Sequence, residues 1–175
     1  MENTKRILIP NDFSVKSLSL VKEVVEQMPN QSLEIIMLHG MFLPNSISDL
    51  LFYSKGRMIR EMESEEFLKA HALISSKFKS QIVSMVTDFI YFNDKKNMQK
   101  YLDSNRIDEV YIPSDIRMDP SVHRRSFDII PYLQKCSVPV TALKMKADTQ
   151  EEFHFTNQVS DLFYKTTTQP IIQKS

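Results

Sequence analysis

The sequence is poor in glycine. Only Gly40 and Gly56 occur among the 175 residues, whereas glycine usually makes up about 7% of a protein. A phosphate-binding loop depends on glycine because several backbone N–H groups must approach one anion without obstruction by side chains. We therefore expect no glycine-rich phosphate loop in this chain, and mechanisms that need several close backbone approaches to a ligand are disfavoured.

Three further absences restrict the class of protein. The single cysteine, Cys136, excludes an internal disulfide framework and suits a reducing compartment. Lys plus Arg equals Asp plus Glu, at 22 each, so no global field attracts nucleic acid or an acidic membrane surface. No apolar run approaches the roughly 20 residues that cross a bilayer, and the N-terminal segment MENTKRILIPND has no signal-peptide core. We expect a cytoplasmic protein that binds neither nucleic acid nor membranes.

Short apolar runs alternate with segments of helical periodicity. The runs predict strands at 6–10, 33–39, the latter half of 82–92, 109–113 and 138–143. Helices are predicted from a cap at Ser14 to about Met28, over 58–81, after Asn93-Asp94, and after Asp119-Pro120, with Pro131 kinking or restarting the last one. Alternation of this kind predicts an α/β fold: a doubly wound five-stranded parallel sheet with helices on both faces, here expected in a flavodoxin-like topology.

The chain divides into a domain and an extension. Residues 1–146 are predicted to form the α/β domain, in which 41–57 is a long irregular connection. Residues 147–175 form a polar C-terminal extension in which Phe155, Val159, Leu162 and Phe163 keep helical spacing. An isolated amphipathic helix of about 15 residues is only marginally stable in water. We expect it to dock on its own domain or on a second copy, with a frayed end.

Ligands of doubly wound sheets bind at the carboxyl ends of the strands, near the switch point in strand order. The residues predicted there are Asn11-Asp12, His39-Gly40, Asn93 and Ser114-Asp115. Two interpretations of Asp12 stay open: it contacts a ligand, or it caps the first helix together with Ser14. His39 is either a strand-end residue or part of a pocket.

Four segments in order resemble the universal stress protein family. These are KRILIPNDFS, IIMLHG, FNDKKNMQKYLDSNRIDEVYIPSD and CSVPVTAL, within residues 5–144. The resemblance implies the fold of that family, which is akin to adenine nucleotide alpha hydrolases, and it matches Asp12 to the adenine-contacting aspartate. It also implies a homodimer paired through the final strand, at Val138, Val140, Thr141, Ala142 and Leu143. A Thr141→Pro substitution is expected to remove a backbone donor from that pairing.

The sequence departs from the nucleotide-binding pattern of that family. The family motif is Gly-x-x-Gly, nine residues, then Gly-Ser or Gly-Thr, and its glycines fall here on Pro113, Ile116 and Ser126, with Phe127 at the hydroxyl position. Proline has no N–H, isoleucine carries a branched side chain, and phenylalanine has no hydroxyl. We therefore expect no cofactor, and binding of ATP or AMP is disfavoured.

Arginines follow the missing glycines. Arg117, Arg124 and Arg125 lie in the segment that replaces the phosphate loop. Their guanidinium groups can hold an anion through side-chain hydrogen bonds. The alternative is an ordinary solvated face, which is common for charged residues.

Evidence for catalysis or metal binding is weak. The four histidines have no metal-site spacing. Ser114, Asp115 and His123 contain the residue types of a catalytic triad, but no Gly-x-Ser-x-Gly elbow accompanies them. Cys136 fits a thiol at the edge of the core better than a redox centre. We expect neither an enzyme nor a metal site.

The sequence thus predicts a non-enzymatic stress-response or regulatory binding protein of universal-stress-protein type that does not bind ATP tightly. Its partner protein is not identified by the sequence. The alternative is a degenerate nucleotide or small-anion sensor that uses Asp12 with Arg124 or Arg125 in place of the glycine loop. Ligand-binding positions implied by the resemblance are Asp12, His39, Gly40, Asn93, Ser114, Asp115 and Ser126. ATP hydrolysis is a third, disfavoured function because the glycines are missing.

Overall fold

The structure is a computed structural model that describes residues 4–114 and 117–144. In this part of the chain one sheet contains six strands. They are β1 (Lys5–Pro10), β2 (Leu33–Met41), β3 (Ile82–Ile90), β4 (Glu109–Pro113), β5 (Ser126–Phe127) and β6 (Val140–Leu143). The predicted extension at 147–175, with its amphipathic helix, lies outside the described residues.

Serine and aspartate side chains start most of the helices. The helices are α1 (Val15–Glu26), α2 (Ile47–Leu51), α3 (Lys55–Met62), α4 (Glu65–Lys77), α5 (Lys95–Ser104) and α6 (Ile130–Leu133). Before the first five stand Ser14, Ser46, Ser54, Ser64 and Asp94, and each of these side chains accepts a hydrogen bond from a backbone N–H three residues further on. Such caps satisfy donors that the first turn of a helix leaves free.

The strand order confirms the doubly wound parallel fold but corrects its topology. Five parallel strands lie in the order β3-β2-β1-β4-β6. A flavodoxin-like sheet has the order 2-1-3-4-5 in chain numbering, whereas this sheet follows the other common doubly wound order, 3-2-1-4-5. The prediction of a flavodoxin-like topology was therefore wrong. Apolar runs indicate which segments are strands, but long-range packing decides which strands are neighbours.

Side chains from both faces of the sheet are buried against helices. Alternation along the strands sends Leu8, Ile36, Leu38, Val110 and Ile112 into a cluster with Met98 and Leu102 of α5 and Leu133 of α6. The intervening residues Ile7, Ile9, Ile35 and Met37 are fully buried on the opposite face. There α1 packs on β1 and on α4. Central strands covered on both faces explain the continuous apolar runs in the sequence.

The segment between β2 and β3 is more ordered than predicted. Residues 41–57 were expected to be irregular, yet they contain α2 and the start of α3. The single helix predicted over 58–81 is two helices, because Glu63 is extended and Ser64 starts a new helix by accepting the N–H of Phe67. The predicted buried stripe is confirmed: Met62, Phe67, Ala70, Ile74 and Phe78 are all buried. Strand β3 extends over 82–90 rather than over the latter half of its run.

The segment after β4 also differs from the prediction. Asp119 accepts the N–H of Ser121, as a cap should, but only a short 3₁₀ helix (Pro120–Val122) follows. The chain then forms β5, which pairs antiparallel with the end of β2. Helix α6 contains Pro131 in its first turn, in agreement with a restart at that residue.

Gly40 permits this antiparallel pairing. Gly40 lies opposite Phe127 in the β2–β5 register. A Cβ at position 40 would stand 2.6 Å from Cγ2 of Ile129 and 2.6 Å from the carbonyl oxygen of Phe127. Distances this short are not tolerated, and one of the neighbours is backbone, which cannot rotate away. Glycine is required here for close approach and not for an unusual backbone angle, since neither glycine has a positive φ.

We expect Gly40→Ala to destabilise the fold by about 1–3 kcal/mol or more through overpacking. Gly56→Ala is the matched control. Its Cβ would meet only Nη1 of Arg60 at 3.5 Å, and alanine is favoured over glycine inside a helix such as α3 by up to about 1 kcal/mol. Urea denaturation of both variants measures the difference. Equal stabilities would show that β5 does not pack on Gly40.

Candidate functional site

The candidate site is the crevice at the carboxyl ends of β1 and β4. The chain order reverses between these two neighbouring strands, which makes this edge the switch point where doubly wound proteins bind ligands. Asn11 and Asp12 follow β1, and Ser114 follows β4. Asp115, which was predicted to belong to the site, and Ile116 lie outside the described residues.

Both carboxylate oxygens of Asp12 already have partners within the chain. Oδ1 accepts hydrogen bonds from the backbone N–H and the hydroxyl of Ser14. Oδ2 accepts the backbone N–H of Asp119 at 3.0 Å. Asp12 therefore supports the capping residue of α1 and holds the loop after β4, and its side chain is only 9% exposed to solvent. This geometry favours the capping interpretation of Asp12 over the ligand-binding one.

Asn11 contributes a buried network that the sequence did not indicate. Its Oδ1 accepts the N–H of Phe13 at 2.9 Å and the hydroxyl of Ser17 at 3.0 Å. Its Nδ2 is buried and has no hydrogen-bond partner among the described residues. Phe13 adopts the left-handed region, with φ of 60°, a conformation that costs free energy for a bulky residue. The turn after β1 is thus strained, and the side-chain oxygen of Asn11 holds it in place.

His39 joins two elements of the crevice. Its ring is 2% exposed, with Nδ1 at 2.7 Å from the backbone oxygen of Asn11 and Nε2 at 2.8 Å from Oγ of Ser126. A carbonyl oxygen only accepts, so Nδ1 donates to it, and in the neutral ring Nε2 accepts from the Ser126 hydroxyl. Burial lowers the pKa of His39, although the carbonyl of Asn11 and the charge of Asp12 oppose this effect, while His123 adds to it.

Aromatic rings fill the space around His39. Phe13 makes an edge contact with His39, with ring centres 5.1 Å apart, and also contacts Phe67 and Phe89. Phe89 in turn lies 5.8 Å from the His39 ring. These rings come from the turn after β1, from α4 and from β3, so three separate parts of the chain close this side of the crevice.

Strand β5 closes the other side. Ser126 and Phe127, which stand at the third glycine and hydroxyl positions of the family motif, form a ladder with Met41 and Gly40. The Phe127 ring packs on the ring of Phe42 with centres 4.5 Å apart. A nucleotide-binding member would need backbone N–H groups free at these positions. Here the positions carry side chains that pack onto β2.

Other predicted site residues lie apart from this cluster. Asn93 is exposed beyond β3, which is an edge strand. Ser114 is exposed, and its N–H donates to the carbonyl of Leu143. Arg117 is exposed as well. The structure therefore brings together Asp12, His39, Gly40 and Ser126, but not Asn93, Ser114 or Arg117.

Arg124 and Arg125 face a separate groove. It has a volume of about 600 Å³, and it lies between these two residues and the segment that contains α2 and α3. Among its lining residues are Arg57 and Tyr53, neither of which was predicted. Asp12 does not line it. No sequence signal links Arg57 to Arg124, because only the fold brings them close.

Metal-ligating side chains and Cys136 form no further site in the described part of the chain. In residues 4–114 and 117–144, no three of the His, Cys, Asp and Glu side chains gather in a metal-binding arrangement. The thiol of Cys136 donates to the carbonyl of Tyr132 at 3.3 Å, and burial raises its pKa, which suits an inert thiol at the core edge. None of the helices described here has the length and apolar character needed to cross a membrane.

Comparison with known proteins places the fold. No family model and no curated protein matches the chain. Among solved structures, it is similar to the universal stress protein UspA from Lactobacillus plantarum, with a TM-score of 0.52 and 14% identity over 80% of this chain and 97% of that one. A universal stress protein family structure from Burkholderia pseudomallei gives a TM-score of 0.47 and 13% identity, over 79% and 95% of the two chains.

A third match is a universal stress protein family structure from Arabidopsis thaliana with AMP bound, at a TM-score of 0.44 and 15% identity over 82% of this chain and 94% of that one. The likeness to the Lactobacillus plantarum protein shows that this chain has the universal stress protein fold, as the sequence resemblance implied. Similarity at this level of identity concerns the fold alone.

The buried neutral His39 predicts a pH-dependent stability. Its pKa is lower in the folded chain than the ordinary 6.5, so between the two values the unfolded state binds more protons and stability rises with pH. The contribution of His39 to the free energy of unfolding should therefore be fully present above about pH 6.5 and should be lost as the solution is acidified below that value. His71 and His123 also have lowered pKa values and act in the same direction.

Urea denaturation between about pH 7.5 and 5.5 tests this prediction. The His39→Gln variant should show a smaller loss of stability on acidification than the unmodified protein. His123→Gln, which removes a more exposed ring, is the control and should change the pH dependence less. An unchanged pH dependence in His39→Gln would contradict the assignment of a buried neutral ring.

Proposed function

We propose that this protein is a non-enzymatic regulatory binding protein of universal-stress-protein type that does not bind ATP tightly. The observation that carries the proposal is the occupation of the switch-point crevice by the chain itself. Both carboxylate oxygens of Asp12 are hydrogen-bonded, and β5 lies on Gly40 with no space between them. The fold agrees with that of a universal stress protein, and a stress-response role follows from that likeness as part of the proposal.

Entry of a nucleotide would require several native contacts to break. Phe127 would have to leave Gly40 and Phe42, and Asp12 would have to release the N–H of Asp119. The phosphates would gain little in return, because Pro113 supplies no N–H. Losing two or three charge-assisted hydrogen bonds, at roughly 1.5–3 kcal/mol each, is enough to reduce micromolar affinity to millimolar.

The pair Ser126 and His39 is the arrangement closest to a catalytic one. Their 2.8 Å separation fits a nucleophile and a general base. However, His39 is oriented by a neutral backbone carbonyl rather than by a carboxylate, and burial lowers its pKa. Nδ1 therefore lacks the hydrogen-bonded carboxylate that orients and stabilises the imidazolium of a triad, and the charge of Asp12 acts on His39 without such a bond. We assign the pair to structure, holding β5 against β2.

Calorimetric titration with Mg-ATP tests the proposal. We expect no saturable binding at concentrations sensitive to micromolar affinity, and no phosphate release on prolonged incubation. If saturable binding in that range occurs and Asp12→Asn abolishes it, then the crevice opens to nucleotide and the proposal fails. Binding in that range that Asp12→Asn leaves unchanged would also refute weak ATP binding, and it would place the nucleotide outside the crevice.

We also propose a homodimer that pairs through β6. This strand lies at one edge of the sheet, and within the described residues no strand pairs with its outer side. Unpaired strand edges promote aggregation, so proteins cover them or use them for specific pairing. Antiparallel pairing about a two-fold axis closes the assembly. The predicted interface residues Val138, Val140, Thr141 and Leu143 are half-buried, and Ala142 is exposed.

The hydrogen bonds between β4 and β6 show which residue of β6 should be substituted to test the dimer. Val110 donates to the carbonyl of Pro139, and Ser114 donates to that of Leu143. Backbone groups of a strand alternate in direction, so Thr141 also points towards β4, and the N–H of Ala142 points to the free edge. A Thr141→Pro substitution would therefore damage the sheet itself rather than the dimer alone.

Ala142→Pro should weaken the dimer, because it removes an outward donor and leaves the β4 ladder intact. Ala142→Ser, which keeps the N–H, is the matched control and should behave like the unmodified protein. Analytical ultracentrifugation at micromolar concentration measures the oligomeric state, and circular dichroism checks the fold. A monomer before any substitution would refute this interface.

The second candidate function, a small-anion sensor, gains only partial support. It required Asp12 to act with Arg124 or Arg125, yet Asp12 is occupied and does not line the groove that the two arginines face. The arginines, in contrast, share that groove with Arg57. The groove that the arginines line is therefore separate from the switch-point crevice.

A further inference from the structure

Three arginines from distant parts of the sequence converge on one groove. Arg57 belongs to α3, while Arg124 and Arg125 precede β5. Together with Phe52 and Tyr53 they line the cavity of about 600 Å³, which we call the arginine groove. Ser46, Ser54 and Met58 are also among its lining residues, as are two acidic residues, Asp49 and Glu61.

The two acidic residues do not neutralise the arginines directly. In the described part of the chain no ion pair joins Arg57, Arg124 or Arg125 to a carboxylate. Three positive and two negative side chains leave the groove with a surplus of one positive charge. Each guanidinium carries five N–H donors, which is more than the hydrogen bonds that the described residues make with these three side chains.

Backbone contacts hold two of the guanidinium groups in place. Arg57 donates from Nη2 to the carbonyl of Phe52 at 3.1 Å. Arg125 donates from Nη1 to the carbonyl of Phe42 at 3.3 Å, and its Cζ lies 5.8 Å from the centre of the Tyr53 ring. Each of these contacts uses one donor and leaves the others available. Preorganised donors bind an anion at a smaller entropic cost than flexible ones.

Arg124 completes the cluster. Its side chain is exposed and makes no hydrogen bond or ion pair with the described residues. Arginine forks match the oxygens of a phosphoryl group in pairs, and a doubly charged anion benefits from more than one fork. Three guanidinium groups with free donors therefore suit a doubly charged anion better than they suit a singly charged carboxylate.

An apolar wall adjoins the positive charges. Phe52 is 76% exposed although it is a large apolar side chain, and Tyr53 presents its ring to Arg125. Exposed aromatic surface beside a charged site is typical of a place where the apolar body of a ligand rests. The groove therefore combines recognition of an anion with recognition of an attached apolar group.

We propose that the arginine groove binds a phosphomonoester dianion carried on an apolar or aromatic molecule. Arg57, Arg124 and Arg125 hold the phosphoryl oxygens, and Phe52 and Tyr53 contact the body of the ligand. Neither Asp12 nor His39 lines this groove, so binding does not require the filled crevice to open. The inference is independent of the proposed inability to bind ATP tightly.

Phenyl phosphate is a suitable probe because it combines the dianion with an aromatic ring. Titration of the full chain, followed by the arginine Nε–H signals in ¹H–¹⁵N spectra, should give saturable shifts below about 10 mM. Inorganic phosphate should bind several-fold more weakly, since it lacks the ring, and benzoate should bind more weakly still. Equal affinity for phenyl phosphate and inorganic phosphate would overturn the role of the apolar wall.

Single substitutions then locate the site. Arg57→Gln and Arg124→Gln should each weaken the binding of phenyl phosphate by about tenfold or more. Arg60→Gln, on the same helix as Arg57, and Arg117→Gln are matched controls outside the groove, and both should bind as the unmodified protein does. Arg124 makes no hydrogen bond or ion pair with the described residues, so Arg124→Gln should fold normally, as circular dichroism can verify.

Absence of saturable shifts, or binding that neither groove substitution weakens, would overturn the proposal. Equal weakening by Arg117→Gln would also contradict it, because the site would then be the exposed segment rather than the groove. If Mg-ATP binds at micromolar concentration and Arg124→Gln abolishes that binding, the groove is confirmed as an anion site while the proposed weak ATP binding fails. The two proposals are thus separable.

Discussion

The contact between Gly40 and β5 is the constraint on which the rest of the crevice depends. Phe127 and Ile129 lie where a side chain at position 40 would stand, so the end of β2 and the segment after β4 meet backbone to backbone. This approach places Ser126 within hydrogen-bond distance of His39. It also brings the N–H of Phe42 to the carbonyl of Arg125 at 2.9 Å. Closure of the crevice and formation of the arginine groove both follow from the same short strand.

Glycine is used in this protein in the opposite way to a phosphate loop. A phosphate loop places glycines on the segment that meets the ligand, so that its N–H groups can approach the anion. The sequence resemblance puts the corresponding segment of this chain after β4. Here that segment carries Ser126 and Phe127, and the glycine lies across from them at Gly40. The close approach is made by the chain itself. The proposed anion-binding capacity then resides in arginine side chains outside the crevice, where Arg57 and Arg125 are held by backbone carbonyls.

The sequence predicted the fold and the surroundings of Asp12 better than it predicted the closed site. Continuous apolar runs mark strands buried on both faces, and Ser14 and Asp94 mark helix starts, because these signals are local. Strand β5 has two residues, too few for any periodic pattern, and it exists only through its pairing with β2. Arg57 and Arg124 line the same groove only in the folded chain. Strand order, β5 and the groove depend on long-range packing, which local patterns do not encode.

The sheet order separates the two binding surfaces proposed for this protein. Strand β6, the proposed dimer edge, is three positions from β2 in the order β3-β2-β1-β4-β6, which is about 14 Å at the usual spacing of strands. The arginine groove lies beyond the end of β2, beside Phe42 and Arg125. The proposed pairing through β6 therefore uses a different strand from the one beside the groove. A ligand bound to the guanidinium of Arg125 would contact the residue that precedes Ser126. Ser126 belongs to the strand that closes the crevice, and its hydroxyl is hydrogen-bonded to His39. The proposed ligand would therefore lie next in sequence to the contact that closes the crevice.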